Sequence, residues 1–375
     1  MKTLPTLAPS PDPEPAAPPR RKVVRVTDPE GPAPLAWLGG RTGRLAHRTF
    51  RVRLVVQAGF ALTCVLMGIQ FARWVAAASA GDLPLPTRPP GVEAFLPISG
   101  LMGALDWVYQ GSLNVVHPAA TVLVLLAITM ALLLRKSFCS WLCPVGLLSE
   151  ILARFGRWAF GRNFRPWKWV DIPLRSLKYV LLAFFGLAIL AMSREALTAF
   201  LTSPYNQVAD VKMGLFFTDM SRVGIIVMGS LAVASVFIKN FWCRYLCPYG
   251  ALLGLFSWMS PARITRNVDA CVDCGLCDKA CGARLPVSSK GVIMSVECTG
   301  CMDCVAACPV KGALEMKVAR RPVSPVLYAA AVVGLFLAGH VGARATGHWE
   351  NAISDAQYVQ HMEAIESGRY GHPGM

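Results

Sequence analysis

Residues 271–281 read CVDCGLCDKAC and residues 298–309 read CTGCMDCVAACP. Both runs have the spacing C-x2-C-x2-C-x3-C. Three thiolates separated by two residues can wrap one cubane [4Fe–4S] cluster, while the fourth, set further along, reaches a second cluster. The spacing therefore predicts two [4Fe–4S] clusters with interleaved ligands. Cys271, Cys274, Cys277 and Cys308 would hold one; Cys298, Cys301, Cys304 and Cys281 would hold the other. Zinc favours its ligands as two separated pairs, which three consecutive C-x2-C steps fit poorly. Disulfides between residues three apart would close strained loops and need an oxidising compartment.

The segment Glu297–Pro309 closely resembles the two-cluster bacterial ferredoxins. The first run departs from them at Gly282, where that family usually has proline. The change loosens the turn after Cys281 and removes no ligand.

Composition puts these cysteines on a membrane protein. The chain is 54% hydrophobic, with a mean hydropathy of +0.46, well above the usual soluble level. Five apolar stretches stand out: Leu54–Ala72, Val116–Leu134, Leu177–Met192, Val223–Ile238 and Val323–Val341. The first, second and fifth are long enough to cross a hydrocarbon core of about 30 Å. The third and fourth need their flanks, Ser193–Leu201 and Phe217–Arg222, to reach across. Basic residues alternate around the five. Arg41, Arg44, Arg48, Arg51 and Arg53 precede the first, and Arg135, Lys136, Arg154 and Arg157 follow the second. The loops Val75–Val115 and Ala196–Ser221 carry one basic residue each, Arg88 and Lys212 outside the flanking helix ends. The positive-inside rule then sets the N-terminus and the cysteine runs in the cytoplasm and the C-terminus outside. The net charge of +15 follows from topology and contact with anionic membrane lipid, not from a nucleic-acid footprint.

The expected organisation is an α-helical integral membrane protein of about five transmembrane helices with an inserted α+β dicluster domain. A disordered cytoplasmic tail covers 1–45, since residues 1–34 are proline-rich and lack the apolar core of a signal peptide. A four-helix membrane domain covers 46–260, the cluster domain 261–320, the fifth span 321–345 and an outside-facing tail 346–375. Phe164–Val170, FRPWKWV, reads as an aromatic and basic anchor at the inner headgroups.

A second motif occurs twice. Phe138–Leu148 reads FCSWLCPVGLL and Trp242–Leu253 reads WCRYLCPYGALL, with their cysteines 104 residues apart. Joined to a dicluster domain, this C-x3-C-P-x-G pair resembles the NapH-type membrane polyferredoxins. Those include membrane subunits of periplasmic nitrate reductase systems, the NosR membrane half and cytochrome oxidase accessory proteins. The resemblance covers about Leu101–Leu314. It implies a multi-pass protein of the bacterial inner membrane with a protein redox partner, periplasmic in some members, and a quinone pool or a cytoplasmic donor at the other end of the electron path. Cysteines four apart lie one helical turn from each other, so Cys139, Cys143, Cys243 and Cys247 can present four thiols at two helix ends. They could hold a metal, a further cluster or a redox-active dithiol, or pack as small hydrophobes. The prolines Pro144 and Pro248 should bend the chain there.

The outer side offers Asp106, Trp107, Tyr109 and His117 within the apolar stretch Ala94–Val116 and at the start of the second span. Asp106, Tyr109 and His117 are candidates for a quinol pocket, in which His117 or Asp106 accepts a proton; an aromatic belt with an interfacial histidine is the alternative. The tail carries His348, His361, His372, Met362 and Met375, and its helical pattern over Ile353–Ile365 suggests a docking helix rather than a metal site. Cys64 reads as packing within the first span.

No glycine-rich dinucleotide loop and no phosphate-binding loop is present, so nicotinamide and ATP chemistry lack support. Electron transfer remains, between a quinone pool or cytoplasmic donor and a respiratory partner, as in a quinol-dehydrogenase-type subunit. Two alternatives are a maturation factor that reduces copper or thiols during assembly of a respiratory enzyme, and a non-enzymatic redox sensor.

Overall fold

The computed structural model describes residues 41–370 except Arg162, Arg165 and Gly368. Most of the expected tail 1–45, along with His372 and Met375, therefore lies outside the described residues. The described residues begin with a long helix, α1 (Arg41–Ala80), then α2 (Pro97–Gln110), α3 (Pro118–Leu134), α4 (Pro144–Phe160) and α5 (Lys168–Leu190). Four shorter elements lead back: α6 (Arg194–Leu201), α7 (Pro204–Gln207), α8 (Ala209–Thr218) and α9 (Arg222–Phe237), followed by α10 (Pro248–Ser257). The cysteine-rich part has β1 (Ala262–Arg266), α11 (Leu276–Ala280), α12 (Asp303–Ala306), β2 (Leu314–Val318) and β3 (Arg321–Pro322). Helices α13 (Pro325–Ala345) and α14 (Asp355–Glu366) close the chain.

Local chemistry explains the helix starts. Proline occupies the first turn of α2, α3, α4, α10 and α13, where its missing N–H is no loss. Ser193, Ser221, Ser324 and Ser354 accept a backbone N–H at the starts of α6, α9, α13 and α14.

Among the described residues, three helices are long and apolar enough to cross a membrane: Arg48–Ala80 within α1, Trp169–Leu190 within α5, and α13. A fourth crossing is available only if α8 and α9, bent by 78° at their junction, count as one. Helix α3 is apolar but has 17 residues, about 26 Å at 1.5 Å per residue, just short of the hydrocarbon thickness. The sequence reading took the stretch Val116–Leu134 as long enough to cross, but its helix starts only at Pro118, and two further details differ. The third span gains its length on the N-terminal side, from Lys168 onward, whereas Ser193 caps a separate helix at the expected flank. The flank Phe217–Arg222 contains the break between α8 and α9, because Ser221 starts a new helix there.

The repeated motif is a repeated fold. In each copy an apolar helix, α3 or α9, ends in a π-helical turn, Phe138–Leu142 or Trp242–Leu246, before proline starts α4 or α10. The copies exchange partners: α4 packs on α9, and α10 packs on α3. At the α4–α9 crossing a Cβ on Gly156 would lie 1.9 Å from the Val236 carbonyl oxygen, so only glycine permits this approach. The exchange turns the two cysteine turns toward each other.

The strands form one antiparallel sheet in the order β1-β2-β3, with Ile264 opposite Met316. Both side chains are buried, in the same apolar core as Met130, Trp141 and Tyr328 of the helical part. The cysteine-rich domain thus shares its core with α3 and α13. At the other end of the molecule α14 folds back on α1, where the Tyr358 ring meets Trp74 edge-on at 4.7 Å. The tail helix therefore uses its apolar face on its own chain, where the sequence suggested a docking element.

Candidate redox centres

The thiols fall into three groups. Cys271, Cys274, Cys277 and Cys308 line one small pocket whose walls all come from residues 266–314. Cys281, Cys298, Cys301 and Cys304 form a second group, close enough for mutual electrostatic interaction. The fourth cysteine of each run thus sits with the first three of the other. Cys139, Cys143, Cys243 and Cys247 form the third group, and all four line a cavity of about 1490 Å³. Cys64 of α1 lines the same cavity.

Among the described residues no three Cys, His, Asp or Glu side chains close on one point as a single metal ion requires. Four sulfurs bound to one zinc would lie within roughly 4 Å of each other. A cubane cluster separates its thiolates more widely, because each binds a different iron. The soft sulfur donors of the third group suit iron–sulfur chemistry. Burial pushes the Cys139 thiol up to about 12, with the Lys136 ammonium opposing, and pushes Cys143 up to about 11. Without metal these groups are neutral thiols, and ligation would have to displace their protons.

The second and third groups are physically joined. From the first π-turn, the Ser140 hydroxyl donates to the Thr299 carbonyl at 2.7 Å and the Trp141 indole N–H to the Gly300 carbonyl at 3.2 Å. From the second, Arg244 Nη1 donates to the Ala283 carbonyl at 2.8 Å, two residues past Cys281. Arg244 is aimed by a two-pronged pairing with Asp171, at 3.0 and 2.7 Å. Gly282 lies against Lys239, whose Nζ would be 3.3 Å from a Cβ there, so a bulkier proline at that position would crowd the turn before Cys243. Arg53 of α1 completes the joint, donating to Asp303 at 2.6 Å and to Glu150 at 2.5 Å.

Between these groups stands a charged cluster that spacing alone did not single out. Glu297, just before Cys298, accepts Lys178 Nζ at 2.7 and 2.6 Å and the Tyr179 hydroxyl at 2.9 Å. Lys136 Nζ lies 4.0 Å from the same carboxylate. In the sequence Lys136 counted only toward topology; its signal was its position three residues before Cys139.

The outer candidates are dispersed. Asp106 is buried and accepts Gln110 at 2.7 Å and Thr198 at 3.0 Å, while Tyr109 lies under the Arg194 guanidinium. His117 is buried, with Nε2 2.6 Å from the Asn206 carbonyl and Nδ1 3.3 Å from Glu93. Arg88 ties Glu93 to Asp210 at 2.9 and 2.7 Å in the same cluster. None of the three candidates lines the large cavity. His117 and Cys139 sit beyond opposite ends of α3, at least about 25 Å apart along its axis.

Comparison with known proteins agrees with these groups. The family model described as a 4Fe-4S binding domain matches residues 116–163 and 222–267, one match on each C-x3-C-P motif. A 4Fe-4S dicluster domain matches residues 263–320. The putative electron transport protein YccM of Escherichia coli K12 is 41% identical over 302 residues, covering 78% of this chain and 85% of that protein. The chain belongs to the NapH-type membrane polyferredoxins. Among other relatives of this polyferredoxin, the regulatory protein NosR of Pseudomonas aeruginosa is 31% identical over 45% of this chain and 23% of its own length. The ferredoxin-type protein NapH of Escherichia coli K12 is 25% identical over 51% of this chain and 65% of its own length. No solved structure matches.

Proposed function

We propose that this polyferredoxin is a membrane-bound iron–sulfur electron carrier that relays electrons between a quinone and a protein redox partner. The observation that carries the reading is the hydrogen-bonded docking of both cysteine turns, through Ser140, Trp141 and Arg244, onto the loops around Cys298 and Cys281. Bound clusters supply one-electron carriage, at potentials set by charge, hydrogen bonds and exposure. In this relay the thiols at Cys139, Cys143, Cys243 and Cys247 meet the cavity together with Cys301 of the neighbouring Cys281, Cys298, Cys301 and Cys304 group, and the Cys271, Cys274, Cys277 and Cys308 group passes electrons to the partner. The cavity is walled mainly by apolar side chains of α1, α2, α5 and α13, which suits an isoprenoid quinone.

The basic residues around the apolar helices support five crossings of a bacterial inner membrane, with α3 as a short span and α8–α9 as a bent one. Residues 261–320 then face the cytoplasm and 346–375 the periplasm.

Protein purified without oxygen tests the relay. A quinol should reduce the clusters in wild type. The double variant Cys139→Ala/Cys143→Ala should lose quinol-driven reduction while dithionite still reduces the ferredoxin-type clusters. Losing the second pair as well should add little, since residues of one site are not additive. Quinol-driven reduction at the wild-type rate in the double variant would remove the paired cysteines from the relay.

A further inference from the structure

Lys136 is 4% exposed and sits in the turn between α3 and Cys139. It lines the large cavity, and its carboxylate neighbour, Glu297, is 4.0 Å from its ammonium and already holds both oxygens on Lys178. Lys178, fully buried, adds a second positive charge beside it. Two buried ammonium groups thus share one carboxylate. Two positive charges that share one carboxylate at the wall of a mostly apolar cavity favour a further anion beside them. Lys136 lines the same cavity as Cys139, Cys143, Cys243 and Cys247 and acts electrostatically on Cys139, Cys243 and Cys247, and Lys178 acts on Cys139 and Cys247 as well. The other charged groups at the cavity's thiol end are already paired: Arg53 with Glu150 and Asp303, and Arg244 with Asp171. Lys239 lies against Gly282 on the far side of the joint.

The duplication shows that this charge is not needed to form the turn. The residue equivalent to Lys136 in the second copy is Asn240, which is neutral and still precedes a π-turn of the same form. A Cβ on Gly254 would lie 3.6 Å from Lys136 Nζ, so the small residue leaves the ammonium room beside α10.

We propose that Lys136 is the counter-charge of an anionic, thiolate-held centre at Cys139, Cys143, Cys243 and Cys247, and raises its potential relative to the neighbouring group at Cys298. This rests on the reading that those four cysteines hold a redox centre. Four thiolates around a cubane leave a net negative charge, and one-electron reduction adds one more. An ammonium on the same cavity wall as these sulfurs, and coupled to them electrostatically, favours the reduced form. Glu297, one residue from Cys298, acts in the opposite sense on the group it adjoins. Lys136 is thus a positioning residue for charge, and electrons rest on the cavity-side centre before moving on.

The test is a redox titration followed by EPR on the full chain, loaded anaerobically with iron and sulfide. Lys136→Met should lower the reduced-to-oxidised ratio of the third centre at least tenfold at a fixed ambient potential, a shift of about 59 mV for one electron. Lys136→Arg should restore the wild-type midpoint. Glu297→Gln should move the third centre and its neighbour in the opposite direction and gives an independent reading if Lys136→Met fails to load. The group at Cys271, Cys274, Cys277 and Cys308 serves as the internal control. A third centre that titrates unchanged in Lys136→Met and in Glu297→Gln overturns the counter-charge. No third centre in loaded wild type, with both ferredoxin-type clusters present, overturns the underlying assignment and the counter-charge together.

Discussion

The Ser140 hydroxyl donates to the Thr299 carbonyl over 2.7 Å, linking the residue after Cys139 to the residue after Cys298. One residue on, Trp141 repeats the link to Gly300. The joint between the two cysteine groups is therefore made by side chains of one motif and the backbone of the other, so its geometry depends on the backbone of residues 299 and 300.

Gly300 tests that dependence. Its φ is 64°, and a Cβ there would lie 2.6 Å from the Tyr328 hydroxyl. That hydroxyl donates to the Leu134 carbonyl at the end of α3. Gly300→Ala should cost about 1–2 kcal/mol for the left-handed backbone alone, before the clash. The expected outcome is a lower unfolding temperature together with a distorted EPR signal from the cluster at Cys298, while the cluster at Cys271 keeps its spectrum.

The grouping of thiols makes a prediction at odds with simple reading along the chain. Cys308→Ala should damage the cluster held by Cys271, Cys274 and Cys277, and Cys281→Ala the one held by Cys298, Cys301 and Cys304. Mössbauer and EPR spectra of each variant decide the matter. About eight irons per chain at full loading should come from residues 271–308 alone when the paired motifs are removed.

The two ferredoxin-type runs were legible because cluster ligation leaves few other uses for their spacing. The paired C-x3-C-P motifs were legible as a duplication whose equivalent helix ends suggested convergence, but not the means of it, the exchange of partners by α4 and α10. The spans were legible as apolar stretches, while their ends were set by capping serines such as Ser193 and Ser221, which lie where hydropathy alone would continue the helix. Lys136, Lys178 and Glu297 come from three separate segments. No local pattern marks them, since their meaning lies in tertiary contact. His117 drew notice as an ionisable group near a span, yet its partners Glu93 and Asp210 are distant in sequence and polar loop residues by appearance.

Glu150 carries a pH dependence. Burial pushes its carboxyl up, and the Arg53 and Arg154 guanidiniums more than reverse this, holding it below its ordinary value of 4.5. A folded-state pKa below the unfolded one gives stability that is complete above the unfolded value and lost as pH falls through the folded value. Wild type should therefore exceed Glu150→Gln by on the order of 2 kcal/mol at neutral pH, the scale of hydrogen bonds to charged groups. The gap should close as the pH drops below 4.5. Thermal unfolding of both proteins across that range measures it, and a gap that stays constant in acid would assign the effect to shape instead of charge.

His117 separates a structural role from a proton-accepting one. Its two ring nitrogens face the Asn206 carbonyl and the Glu93 carboxylate, and Glu93 also accepts the Ala120 N–H in the first turn of α3. With Arg88 and Asp210 the cluster ties the segment before α2, the start of α3 and α8 into one buried unit. His117→Ala leaves two carboxylates sharing one guanidinium, so it should destabilise the fold by about 3 kcal/mol, as breaking a buried pair does. Because His117 lies away from the cavity wall and far from Cys139, the variant that still folds at low temperature should be reduced by quinol at the wild-type rate. The opposite pair of results, an unchanged unfolding temperature with slowed quinol-driven reduction and intact reduction by dithionite, would instead make His117 the group that takes the quinol proton.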